Sequence, residues 1–440
     1  MSVRAMILGL FFVAALASAA VVRAADRPPN VVLIISDDQG YGDFGFMGHA
    51  VIQTPHLDRL ASQGLLFTRG YVPSSLCRPS LATIITGLFA HQHKITSNDP
   101  PWPKGMEGKW GPAAKDATYR AQRQEMIRYI EEVPTLPRLL AAKGYESFQS
   151  GKWWEGNCRR GGFTAGMTHG DPDRGGRHGD EGLRIGREGM KPVLDFIDAA
   201  GDRPFFLWYA PMMPHQPHTP PQRLLDKYRG KTDSLHLARY WAMCEWFDET
   251  CGQLLDHLDR KGLAENTLVV FVVDNGWIQE PDAATSDPRS KRSPYDGGIR
   301  TPIMLRWPGH IEPRRDEQTL ASSIDLAPTI LAACGLAPTP DMQGVNLLDA
   351  AALARRPAIF GEIFTHNAVD IHSPAANLQY RWCIEGPWKL IVPHAPNVLD
   401  GQVELYDLRA DPRETTNRAK EEPDRVEQLR QAIDGWWPAK

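Results

Sequence analysis

Asn30-Val31-Val32-Leu33-Ile34-Ile35-Ser36-Asp37-Asp38 is the stretch that decides the fold. Apolar residues follow one another from Val31 to Ile35 without polar alternation, so a strand here is buried on both faces. Leu268-Val269-Val270-Phe271-Val272-Val273 repeats the pattern, and Phe205 to Ala210 (FFLWYA) is a third case. Helical patterns lie between them. Residues 55–64 read as a short helix stopped by Gly64, and residues 65–72 return as a strand. Residues 135–144 read as a helix capped by Thr135 and stopped by Gly144, followed by a strand through Phe148. Across residues 235–263 the apolar positions 237, 241, 244, 247, 251, 254, 255 and 258 keep a helical period. The expected architecture is therefore α/β, a mainly parallel sheet sandwiched by helices.

Two segments interrupt this pattern. Residues 99–130 are rich in Trp, Pro and Lys, and residues 156–189 are crowded with Gly, Arg and His; both read as loops over a site. From about Phe360 short strand-like segments alternate with turn residues, and residues 424–437 form an amphipathic pattern. A small C-terminal antiparallel sheet with a closing helix is expected there. The chain accordingly divides into an export signal at 1–24, a large α/β domain at 25–359 and a small α+β subdomain at 360–440.

The export reading comes from Arg4, the apolar run from Met6 to Val22, and the small-x-small site Val22-Arg23-Ala24 before Ala25. An uncleaved membrane anchor is the alternative. Cleavage places the mature protein in a periplasmic or extracellular location, with no membrane attachment. A formal net charge of −4 in 440 residues gives no reason to expect nucleic-acid binding. The six cysteines are too sparse for a disulfide scaffold and do not have zinc-site spacing. Five read as small buried hydrophobes. Cys77 is the exception.

In open parallel sheets the ligand site lies beyond the carboxyl ends of the strands. Asp37 and Asp38 follow the first buried strand, Gly151-Lys152-Trp153 the strand through Phe148, Pro214-His215 the FFLWYA strand, and Asp274-Asn275 the LVVFVV strand. Asp37, Asp38, Asp274 and Asn275 form a hard oxygen donor set suited to calcium, with magnesium as the alternative. A lone Asp would more often be a cap or turn residue. An adjacent pair at a buried strand end repels itself unless a cation neutralises it. Cys77 precedes a helix whose first turn holds Pro79. That position suits an anionic substrate group or a lowered thiol pKa, and equally suits an ordinary buried cysteine.

These motifs, in this order, resemble the formylglycine-dependent type I sulfatases of the alkaline-phosphatase-like superfamily. The resemblance rests on residues 29–43, on Cys77-Arg78-Pro79-Ser80 with Thr86-Gly87, and on Gly151-Lys152-Trp153. It extends to Pro214-His215-Gln216-Pro217, Asp274-Asn275-Gly276, Lys291 before Asp296-Gly297-Gly298-Ile299-Arg300-Thr301-Pro302, and the tail from Glu404 to Asn417. It implies hydrolysis of a sulfate ester on a small molecule or carbohydrate by a formylglycine that a maturation enzyme makes from Cys77. It further implies calcium held by Asp37, Asp38, Asp274 and Asn275 with residue 77, charge neutralisation by Lys152 and Lys291, and His215 at the leaving group, with His218 as substitute. Two positions depart from the pattern. The family arginine four residues after the cysteine, which anchors the formylglycine, is Leu81. The histidine after Gly-Lys-Trp, which bonds the formylglycine hydroxyl, is Trp154. A phosphatase or phosphodiesterase, and a silent sulfatase-like binding protein, are the competing functions. The Trp102–Trp110 region and the Arg159–Arg187 loop are candidate cleft linings, or alternatively covers for the sheet edge.

Overall fold

The computed structural model describes residues 27–170 and 176–439; the signal expected at 1–24 lies outside the described residues. Its strands are β1 (Asn30–Ser36), β2 (Leu65–Tyr71), β3 (Glu146–Gly151), β4 (Ala165–Gly166), β5 (Phe205–Ala210), β6 (Thr267–Val273), β7 (Arg300–Arg306), β8 (Arg314–Asp316), β9 (Ala321–Ser322), β10 (Ala358–Phe364), β11 (Leu378–Glu385), β12 (Trp388–Pro393) and β13 (Glu404–Asp407). Among the described residues β1 to β9 form one sheet in the order β4-β3-β5-β1-β6-β7-β2-β8, with β9 also on β2. β7 runs antiparallel to β6 and β2. The remaining pairings are parallel.

Period-2 alternation explains why the central strands need apolar residues at every position. Val31, Leu33 and Ile35 of β1, with Leu268, Val270 and Val272 of β6, join a core that includes the helix α2 (Cys77–Thr86). Val32 and Ile34, with Val269, Phe271 and Val273, join a second core on the opposite face. That core contains helix α1 (Pro55–Ser62) and the long Leu235–Arg260 helix. Each such side chain withdrawn from water contributes roughly 1.5–3 kcal/mol. Polar residues are tolerated only where these strands end.

Local readings differ from expectation at two places. The Leu136–Ala141 helix follows Thr135, but the Thr135 hydroxyl donates to the Gly161 carbonyl (2.6 Å) instead of capping the helix. Within the supposed loop 99–130, residues Ala117–Arg128 form an α-helix whose cap is Asp116, its carboxylate accepting from the Tyr119 N–H. No helix among the described residues is long and apolar enough to cross a membrane.

The second sheet, β10-β11-β12-β13, is antiparallel throughout and starts at Ala358. Ile359, Ile363, Trp382, Ile384 and Ile391 face the main core. Cys383, Leu390, Val392 and Leu405 face the closing helix Pro423–Trp436 through Leu429 and Ile433.

Candidate active site

β3, β5, β1 and β6 are contiguous neighbours, and their carboxyl ends are laced together by main-chain bonds. The Lys152 N–H donates to the Ala210 carbonyl (2.6 Å), that of Asp37 to Met213 (3.0 Å), and that of Asp274 to Ser36 (2.9 Å). Gly151 has no substitute here: at φ 81° an added Cβ would sit 1.9 Å from the Ala210 oxygen. Asp38 itself takes φ 59°, a left-handed conformation uncommon outside glycine, where Asp is better tolerated than most residues. The turn lets its N–H donate to Asp274 Oδ1 (3.1 Å) while its carboxylate accepts from Asn275 Nδ2 (2.7 Å).

Cys77 opens α2 on the same rim. Ser80 Oγ donates to the Asp274 carbonyl (2.5 Å) and fixes the helix against the end of β6. Just upstream, the Ser75 carbonyl accepts from the Arg292 N–H (2.9 Å) and its hydroxyl donates to the Ser293 carbonyl (2.7 Å), which draws Lys291 alongside. The expected free helix terminus is largely occupied. The Arg78 N–H is taken by Asn98 Oδ1 (3.0 Å), and Pro79 has no N–H. Nor is the thiol acidified: burial pushes it up to about 11, against the pull of Lys152 and Lys291.

One ligating atom each from Asp37, Asp38, Cys77 and His215 lies within 4.8 Å of the others. Lys152 Nζ is 2.6 Å from Asp37 Oδ1, and Lys291 Nζ is 2.6 Å from both Asp38 oxygens. His215 Nε2 is 3.3 Å from Asp38 Oδ2. Burial would raise the Asp38 carboxyl, but Lys291, His215 and Lys152 outweigh it and hold the group well below the usual carboxylate range. Asp274 goes the other way, pushed up first by burial and then by Asp37. Three carboxylates therefore crowd a space served by two ammonium groups. Three oxygens in it, Asp37 Oδ2, Asp274 Oδ2 and Asn275 Oδ1, are shut off from solvent with no hydrogen-bond partner among the described residues. Orphaned buried acceptors of this kind fit a hard cation bound among them.

His218 lies apart from this cluster. Its ring packs against Tyr240 and Trp277 and helps line a cleft of about 760 Å³ beside His215. Several partners escaped the sequence reading. Arg78 is locked to Glu155 through Nε (2.8 Å) and Nη2 (2.6 Å), so it does not replace the cation absent at Leu81, which is itself buried. Asn98 bonds the start of α2, and Asp99 holds Arg177 of the 159–187 loop; only the Arg/His density of that loop hinted at Arg177.

The sulfatase family profile matches residues 29–336, and a second, for the C-terminal part of N-sulphoglucosamine sulphohydrolase, matches 289–434. Human arylsulfatase A is 33% identical over 371 residues, 72% of this chain and 66% of that protein. N-acetylgalactosamine-6-sulfatase of Canis lupus familiaris is 30% identical over 411 residues, 83% and 74% of the two chains. The chain thus spans about two thirds to three quarters of these relatives. A structure solved in complex with its substrate, D-glucosamine-2-N,6-O-disulfate, superposes with a TM-score of 0.70 at 19% identity, covering 94% of this chain and 98% of that one. That likeness concerns the fold, whereas the profile match and the arylsulfatase A identity concern descent, and on these the chain belongs to the sulfatase family.

Proposed function

We propose that the protein hydrolyses a sulfate ester on a carbohydrate or small molecule, using a formylglycine made from Cys77 and a calcium ion held by Asp37, Asp38, Asp274 and Asn275. The supporting observation is the set of three orphaned oxygens beside Cys77. The carbohydrate class is suggested by the glucosamine disulfate bound to a protein of the same fold. Export of the mature chain from near Ala25 belongs to the same proposal.

Calcium supplies Lewis-acid polarisation of the sulfate oxygens. Formylglycine, as its hydrate, supplies an oxygen nucleophile and a route for sulfate release that a thiol lacks. The chain's own residues do the rest. Against the effect of burial, the carboxylates beside them hold Lys152, buried, and Lys291, partly buried, above the usual lysine range, and both direct positive charge at the transferring group. His215, held below the usual histidine range first by burial, presents Nε2 on the same side as Asp38 and exchanges a proton with the ester oxygen. Asp37, Asp38, Lys152 and Asp274 are each at most 2% exposed, which keeps bulk water away from these charges.

Mass spectrometry of the peptide spanning residue 77, with turnover of 4-nitrophenyl sulfate and its phosphate analogue, tests the reading. Formylglycine at 77, hydrolysis of the sulfate ester in preference to the phosphate, and a lower Tm after chelation are expected. Wholly unmodified cysteine in active enzyme would overturn the mechanism. Preferred phosphate hydrolysis would favour a phosphatase.

A further inference from the structure

Position 154 holds a tryptophan where the resemblance expects a histidine, yet a histidine stands against that tryptophan from another segment. The His178 ring lies 5.3 Å from the Trp154 indole, tilted by 35°. Its own carbonyl accepts from the Trp153 N–H (3.0 Å), next to Lys152. The neighbouring Arg177 is clamped. Its Nε donates to Asp99 Oδ1 (2.9 Å), Nη2 bonds the other oxygen, and the guanidinium lies between Trp110 (4.9 Å) and Trp154 (4.6 Å). Arg123 holds the same turn by donating to the carbonyls of Gly176 and Arg177. Contacts from four chain segments thus fix the backbone and one flank of His178.

One imidazole nitrogen, His178 Nδ1, is closed off from solvent and lacks a polar partner among the described residues. Few buried polar atoms in native proteins stay unpaired, so an unmade bond in a rigidly held ring calls for a ligand or a water. Contacts set the ring's place: it packs on Trp154, and the His178 carbonyl is bonded by Trp153, the two residues after Lys152, whose Nζ reaches Asp37 beside Cys77 (2.6 Å). Burial, then Lys152, Arg177, His215 and Arg123, hold it well below the usual histidine range. Lys152 and His215 both border the Cys77 pocket. A neutral ring there carries one N–H donor, suited to an anionic oxygen.

We infer that His178 is a further residue of the sulfate pocket, its imidazole N–H donating to an oxygen of the bound sulfate group, with Arg177 as the positioning residue that docks its loop. The inference rests on the sulfatase reading and names a residue for the place that Trp154 leaves without a histidine. A pocket supplied from an inserted loop also explains why Arg177 needs a fully buried carboxylate, Asp99, to hold it: a mobile loop would lose the contact.

Binding of inorganic sulfate to the calcium-saturated protein, read from the shift in thermal unfolding, tests this without requiring turnover. His178→Ala should weaken sulfate binding about tenfold or more, as loss of a hydrogen bond to a charged group does. His178→Gln, which restores an N–H donor, should stay within about threefold of wild type and guards against misfolding of the alanine variant. Equal sulfate affinity in His178→Ala and wild type, as when a water alone occupies the gap, overturns the inference. So does a wild-type protein that binds no sulfate. Turnover of 4-nitrophenyl sulfate by wild type is measured beside it. Turnover with unchanged sulfate affinity in His178→Ala removes the inference and leaves the sulfatase reading standing. Weakened affinity without wild-type turnover does the reverse.

Discussion

Arg78 and Glu155 meet in the interior beside Cys77, with 0% and 4% of their side chains exposed. Two parallel N–H···O bonds satisfy a pair that would otherwise be costly to bury, and they pin the first turn of α2 to the segment following Trp154. Removing one partner strands the other charge. Glu155→Ala should therefore cost about 3–5 kcal/mol, whereas the double variant Arg78→Met, Glu155→Met should recover most of that loss. Urea unfolding of the three proteins checks both outcomes, and equal stability of Glu155→Ala and wild type would refute the argument. The convergence of Asp37, Asp38, Lys152, His215, Asp274 and Asn275 was legible in the sequence because each lies within five residues of the end of a strand, and neighbouring strands bring their ends together. Glu155 and Asp99 gave no such signal. Their partners lie 77 or 78 residues away along the chain, and only tertiary packing pairs them.

Helix α1 begins with no cap of its own, since Thr54 makes no side-chain cap bond. Asp248, on the long Leu235–Arg260 helix, supplies it from across the interface by accepting from the N–H groups of His56 (3.1 Å) and Leu57 (2.7 Å). Those donors favour the carboxylate, yet burial outweighs them and pushes the group up to about 7. The native state thus binds a proton that the unfolded chain, titrating near 3.8, has already released. Asp248 consequently contributes most below about pH 4; that contribution declines as pH rises toward 7 and is constant above it. Asp248→Asn removes the titration. Its stability penalty should shrink by a few kcal/mol between pH 4 and 7, as thermal unfolding across that range would show; a penalty that grows with pH would refute the assignment. At this scale the all-apolar strands and the long helix could be read from period alone. The Ala117–Arg128 helix could not, because its residues are predominantly polar and only Tyr119, Met126 and Ile127 are buried, too few to set a period. The absent cap at Thr135 was equally invisible, since its hydroxyl found a carbonyl from the distant Gly161.

At the scale of the molecule, the second sheet shapes the pocket without entering its centre. One of its faces belongs to the main core through Ile359, Ile363, Trp382, Ile384 and Ile391, so the two sheets share a hydrophobic interior. Pro73, four residues before Cys77, has its carbonyl bonded by the Glu362 N–H (2.9 Å) and by Trp382 Nε1 (3.2 Å). On the other side of the pocket Lys389, wholly buried, places Nζ 3.0 Å from Asp296 and 2.7 Å from Glu414. Glu414 Oε2 in turn accepts from the Asp296 N–H (2.7 Å), which fixes the turn that follows Lys291. The chain entering Cys77 and the chain leaving Lys291 are thus both anchored on β10 to β13 and the tail. Lys389→Met would leave two carboxylates facing each other in the interior, with Glu414 already pushed up by burial and Asp296. It should cost about 3–5 kcal/mol, as breaking other buried ion pairs does. Because Lys291 then loses its anchored turn, turnover should also fall. A shared core further implies one cooperative unfolding transition for the whole chain, and no soluble, folded product from residues 25–359 alone. Calorimetry that resolved an early, separate transition abolished by deleting residues 360–440, with sulfate binding retained by the remainder, would show the C-terminal sheet to be an appendage and defeat this account of how Cys77 and Lys291 are held.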